Sequence, residues 1–160
     1  MRFIIMPLTI LGVGAAAAAR ADTDYSTMLR DTGLAGTEAT LAALPDPTPS
    51  DQFALGGVRF LGTVETALQT LYATQINRDM AENSGLPFLR LPVGQNPEAA
   101  PFDPAMVAAL FETALTELDA SLAVLDTITD GDAVAVTLDT ADIWFDVNAN
   151  GTRDEGEGFY

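Results

Sequence analysis

Between Asp146 and Glu157 the chain reads DVNANGTRDEGE, a run in which oxygen-bearing side chains recur at nearly every second position. Counting Asp146 as 1, Asn148 stands at 3, Asn150 at 5, Gly151 at 6, Thr152 at 7, Asp154 at 9 and Glu157 at 12. The segment therefore satisfies the spacing D-x-[DN]-x-[DN]-G-x5-E at every specified position. Such a spacing serves the capture of a hard divalent cation: Ca²⁺ takes about six to eight oxygens, and a tight loop turns alternate side chains inward. Asp146, Asn148 and Asn150 each offer a side-chain oxygen, and Thr152 offers its backbone carbonyl. Asp154 acts directly or through water, and Glu157 closes the shell with both carboxylate oxygens. Gly151 permits the sharp reversal after the third ligand. Mg²⁺ fits this set less well, because a bidentate Glu and flexible carbonyls do not make its small octahedron. Asn, Gly and Asp also build turns with no ion, but the match at every specified position favours Ca²⁺. With two neutral Asn among the donors, the expected Kd is modest, roughly 10⁻⁴ to 10⁻³ M.

These residues resemble the EF-hand calcium loop, including the shorter EF-hand-like and dockerin-like forms of bacterial secreted proteins. The resemblance covers roughly residues 141–158, and Phe145 matches the apolar residue that the family places before position 1. IWFDVNANGTRDEGEG is also similar to the aromatic-led calcium loops of bacterial surface repeat domains, in which a strand leads in. The resemblance implies a Ca²⁺ site made by Asp146, Asn148, Asn150, Thr152, Asp154 and Glu157. Three features depart from the family. Arg153 holds position 8, where paired loops carry a β-branched or aliphatic residue, which argues against a conventional second loop. Gly156 and Gly158 disfavour an exiting helix, and the sequence ends at Tyr160. Two arrangements stay open: a solitary loop without a second helix, or the front part of a longer protein.

The elements that must position this loop are mainly helical. Asp24 to Asp31 and Thr37 to Leu44 read as two short helices separated by Gly33 and Gly36. PDPTPSD then stops any helix, because each Pro forces extended backbone on its predecessor. Ser50 or Asp51 is the expected N-cap of a long helix over about 52–73, whose Phe53, Gly57, Leu61, Val64, Leu68 and Leu71 form one stripe. Gly56 and Gly57 weaken that helix by about 1 kcal/mol each relative to Ala, so they point to tight packing against a neighbour.

A second long amphipathic helix is expected over about 104–126, opened by Asp103 as cap and Pro104 at the first helical position. Its apolar face runs through Met106, Leu110, Ala114, Leu118, Leu122 and Leu125, widened by Val107, Phe111 and Leu115, with Glu112, Glu117 and Asp119 on a solvated side. Between the long helices, Asn77 to Asp103 is mostly loop. Its extended piece near 87–92 is confined by Pro87 and Pro92 to an edge or a pinned segment. After the second helix, AVAVTL alternates as a short strand. Into the loop itself, either Asp139 caps a short helical turn or DIWF prolongs that strand; the helical turn is favoured. Trp144, between Ile143 and Phe145, is expected to anchor the core.

Composition narrows the function. Residues 1–21 have the charged start, apolar run and Ala19-Arg20-Ala21 end of a secretory signal peptide, which places the protein in the periplasm or outside the cell. The expected mature part, residues 22–160, is a single domain. Losing Arg2 and Arg20 leaves five Arg against 23 acids, a net charge of −18, with no Lys, His or Cys. That balance argues against nucleic acid and against an anionic membrane surface, and it suits a calcium ion. Without His, Cys or Lys, and without a G-x-S-x-G or phosphate-binding glycine loop, no enzyme chemistry is expected. The expected function is structural Ca²⁺ binding; the alternative is an interaction or solute-binding module that uses LPFLRLPVGQNPEAAPF, residues 86–102, with calcium only supporting it.

Overall fold

A computed structural model describes residues 23–74, 93–101 and 103–158. The expected signal peptide and the extended piece near 87–92 lie outside the described residues, as do residues 86–92 and 102 of the alternative interaction segment. The protein is mainly helical: α1 spans Tyr25–Ala42, α2 Pro49–Ala73 and α3 Ala105–Leu125, followed by a 3₁₀ turn at Thr140–Asp142. No strand occurs among the described residues, only isolated bridges pairing Thr74 with Ala100 and Trp144 with Gly158.

The two short N-terminal helices expected from the sequence follow each other directly within α1, broken at a kink. Asp24 caps α1 by accepting the Thr27 N–H at 2.9 Å, and the break survives as a kink at Gly33, whose φ of +65° and ψ of −170° are not helical. Glycine takes that conformation without the Cβ clash that other residues meet. The space is also taken: a Cβ there would lie 2.8 Å from Cζ2 of Trp144.

Thr48, rather than Ser50 or Asp51, is the N-cap of α2. Its hydroxyl accepts the Asp51 N–H, and the Asp51 carboxylate accepts the Thr48 N–H at 2.9 Å, a reciprocal capping box with Pro49 at the first helical position. Asp51 is 1% exposed and also accepts from the Tyr25 and Thr23 hydroxyls. With Asp51 fixed inward, positions three, four and seven residues on, Ala54, Leu55 and Val58, face the core. The expected stripe holds only in the second half of the helix, at Leu68 and Leu71, with Leu61 and Val64 partly buried. Phe53 is 48% exposed and Gly57 lies in the open.

Helix α3 runs antiparallel to α2, with contacts from Gly56 to Ser121 at one end and from Thr66 to Glu117 further along. Asp103 accepts the Ala105 N–H at 2.9 Å, but Pro104 occupies the N-cap position instead of the first turn. The buried positions of α3 are Leu110 and Ser121, while Phe111, Leu115 and Leu122 are exposed. Close approach explains the shift. The Ser121 hydroxyl donates to the Gly56 carbonyl at 2.7 Å, and a Cβ on Gly56 would lie 2.6 Å from Cδ2 of Leu125. Glu117, expected on the solvated side, instead turns toward α2 and accepts from Thr66. Arg59 ties the three helices together: its Nε donates to Glu38 on α1 and its Nη1 to the Ala120 carbonyl on α3.

AVAVTL is not a strand. Among the described residues no strand lies beside it; its Ala135 N–H donates to the Ser50 hydroxyl at 3.0 Å, and the N–H of Asp139, just after it, donates to the Ser26 hydroxyl at 2.7 Å. The core gathers Tyr25, Leu29, Leu34 and Leu41 of α1, Ala54, Leu55, Val58 and Leu68 of α2, and Ile143 and Phe145 from the segment that leads into the loop.

Candidate metal centre

The chain enters the loop through the favoured helical turn. Asp139 accepts the Ala141 N–H at 2.9 Å and caps Thr140–Asp142, after which Ile143, Trp144 and Phe145 are buried in succession. Trp144 is the anchor expected of it: its indole N–H donates to the Leu29 carbonyl at 2.8 Å and its ring packs over the Gly33 kink. The loop base closes by the Trp144–Gly158 bridge and by Phe145 N–H donating to the Glu157 carbonyl at 2.9 Å. No helix follows Glu157 among the described residues.

Within the loop the predicted site residues bond mainly to one another and to loop N–H groups. The two carboxylate oxygens of Asp146 accept from Asn150 N–H at 2.9 Å and Gly151 N–H at 2.8 Å. Asn148 Oδ1 accepts from Asn150 N–H, and Asn150 Oδ1 from both the N–H and the hydroxyl of Thr152. Glu157, 7% exposed at the loop base, accepts from Val147 N–H at 2.9 Å through Oε1 and from Asp154 N–H at 2.8 Å through Oε2. The reversal is made at Ala149 and Gly151, with φ of +57° and +77°. Gly151 takes this freely; Ala149 does so at a penalty of about 1 kcal/mol.

Asp146, Asn148, Asn150, Thr152, Asp154 and Glu157 are thus brought onto one turn, with Asp146 and Glu157 at its closed end. The donor set is all oxygen, which is the chemistry of a hard cation. Asn148 and Asn150 turn their amide Nδ2 onto Asp154 Oδ2, at 2.7 Å each. A cation beside Asp154 therefore requires both amides to rotate. Among the described residues, no cluster of three or more Asp, Glu, His or Cys is arranged as a metal-holding group. Arg153, at the position where the family's paired loops meet, instead donates to the Ala141 carbonyl at 3.1 Å, on the loop's own lead-in.

Two further residues touch the loop from α2. Glu65 Oε2 accepts the Asp146 N–H at 2.7 Å, and Gln69 Nε2 donates to the Asp146 carbonyl at 2.8 Å. Burial pushes the Glu65 carboxyl above its ordinary range; the Asp146 N–H opposes that rise, and the Asp146 and Glu157 charges add to it. Sequence reasoning does not single out this pair, because a Glu and a Gln four apart on a helix look like any solvated pair. Glu65 also lines a cleft of about 250 Å³ between the three helices, together with Glu38, Arg59 and Glu117.

No family model, curated protein or solved structure matches this chain.

Proposed function

We propose that this is a secreted or periplasmic calcium-binding protein in which one EF-hand-like loop, with Asp146, Asn148, Asn150, Thr152, Asp154 and Glu157 as ligands, holds Ca²⁺ and thereby stabilises the fold. The observation that carries the reading is the complete match of spacing on a segment that closes as a twelve-residue turn, with Asp146 and Glu157 at its base and glycine at its reversal. The overall charge supports it as well: 23 acids against seven Arg suit a cation as partner. We assign no catalysis, since the sequence offers neither His, Cys nor Lys and no nucleophile motif. Bound Ca²⁺ fixes the loop that Ile143, Trp144 and Phe145 attach to the core. By binding only the folded state it adds RT ln(1 + [Ca²⁺]/Kd), about 1.4 kcal/mol at tenfold excess over Kd.

Trp144, the only Trp in the chain, lies two residues before Asp146 and reports on the site. Titration of the purified protein with Ca²⁺, followed by Trp144 fluorescence or by sensitised Tb³⁺ emission, is expected to saturate at sub-millimolar to millimolar concentration. Asp146→Ala and Glu157→Gln are expected to abolish the response and the accompanying thermal stabilisation. A folded wild-type protein with no response would sink the reading.

A further inference from the structure

The loop's first ligand is held from outside the loop, and this inference rests on the calcium reading above. Asp146 has its backbone N–H on Glu65 Oε2 at 2.7 Å and its carbonyl on Gln69 Nε2 at 2.8 Å, so both polar atoms of its backbone are gripped by one face of α2. The two contacts span 81 and 77 residues of sequence. Each is made by a different chemistry, a carboxylate acceptor and a neutral amide donor, so charge alone does not account for the pair.

We infer that Glu65 and Gln69 are positioning residues for the calcium loop, orienting Asp146 from α2 so that its carboxylate is set before the ion arrives. A short loop rich in Asn and Gly loses entropy when it closes on an ion, and outside groups that fix its first donor reduce that loss. At the other end, Glu157 is fixed by Val147 N–H, Asp154 N–H and Phe145 N–H. Positions 149–156 between these ends are exposed, with their hydrogen bonds inside the loop or, for Arg153, to its lead-in. Helix α2 thereby does for this loop what flanking structure must do for any precise site: it locks the donor's backbone with supporting hydrogen bonds.

The test is the Ca²⁺ affinity of Glu65→Ala, Glu65→Gln and Gln69→Ala, read by Trp144 fluorescence, beside each variant's melting temperature in a calcium chelator. Gln69→Ala and Glu65→Ala are expected to weaken Ca²⁺ binding about tenfold, as loss of a group that orients a ligand typically does. The calcium-free melting temperature stays near that of the wild type. Glu65→Gln, which keeps an oxygen for the Asp146 N–H, recovers most of the affinity. Wild-type affinity in Gln69→Ala overturns the proposal, and that variant decides the matter where Glu65→Ala does not fold. A loss in Glu65→Ala that Glu65→Gln fails to recover and Gln69→Ala does not share also overturns it, because Glu65 would then act only through its charge. Absence of any saturable response in the wild type instead removes the calcium reading on which the inference rests.

Discussion

Asp51 concentrates more of the fold's polar bonding than any other single side chain described above. Its carboxylate closes the capping box of α2 and accepts the Thr48 N–H, the Thr48 hydroxyl, the Tyr25 hydroxyl and the Thr23 hydroxyl, all at the buried junction of α1 and α2. Burial by itself would raise its pKa, but those bonds outweigh it and hold the carboxyl below the ordinary 3.8. Because the folded value is the lower one, the stabilisation is fully present above the unfolded value, about pH 4, and is lost as pH falls through the folded value. Asp51→Asn removes the charge and turns an amide donor toward a ring of donors, so it is expected to destabilise by about 2 kcal/mol at pH 7. It should also flatten the acid limb of stability against pH. Urea unfolding of both proteins at pH 7 and pH 3 checks this; an equal deficit at the two pH values would remove the charged form of Asp51 as the cause. The sequence carried this signal as T-P-S-D, a hydroxyl followed three residues later by an acid. Ser50 and Asp51 also fit an N-cap by residue type alone, and the choice of Thr48 depends on where α2 begins.

At the scale of elements, periodicity located α2 and α3 and the inner side of α3, but it placed the buried line of α2 correctly only in that helix's second half. Gly56 and Gly57 make the point. They are adjacent, both read as tight packing, yet Gly56 meets Leu125 and Gly57 has nothing within 4 Å of a Cβ. Adjacent helical positions lie about 100° apart, so a small rotation of α2, set here by the inward Asp51, decides which glycine is under α3. Gly57→Ala is expected to stabilise by about 1 kcal/mol, the helix-propensity gain with no packing penalty. Gly56→Ala gains the same propensity but drives a methyl into Leu125, and overpacking of about 1–3 kcal/mol makes it neutral to destabilising by about 2. Chemical denaturation of the pair measures the contrast; equal gains in both would mean that α2 and α3 do not approach closely at Ser121. On α3, Leu110 is buried and Met106, Ala114, Leu118 and Leu125 are partly buried, as their spacing predicts, while Phe111, Leu115 and Leu122 lie exposed. AVAVTL failed for a different reason: alternation describes a strand only where another strand is at hand, and here the Ser50 hydroxyl takes the Ala135 N–H and the Ser26 hydroxyl that of Asp139 just beyond.

For the whole molecule, charge is the dominant fact: 23 acids against seven Arg, and −18 once the expected leader is removed. The turn at 146–157 was legible because its Asp, Asn and Gly residues lie within one short stretch of sequence. The supports of the loop were not, since Glu65, Gln69, Leu29 and Gly33 reach it from 77 to 115 residues away and only the folded chain brings them there. Self-repulsion of so acidic a chain opposes the compact state, so any salt that screens it raises stability, whether or not it occupies a site. A calcium effect therefore has meaning only above the effect of a matched ion. In low-salt buffer, added NaCl is expected to raise the melting temperature gradually. MgCl₂ at equal ionic strength should do somewhat more, through nonspecific attraction to the acidic surface. CaCl₂ at tenfold excess over its Kd should add about 5 °C beyond MgCl₂, from about 1.4 kcal/mol of site binding in a domain of this size. In Asp146→Ala the Ca²⁺ and Mg²⁺ curves should coincide, leaving the screening component alone. If they coincide in the wild type too, the acidity of this protein is a matter of its surface and the loop is a turn held by its own side chains.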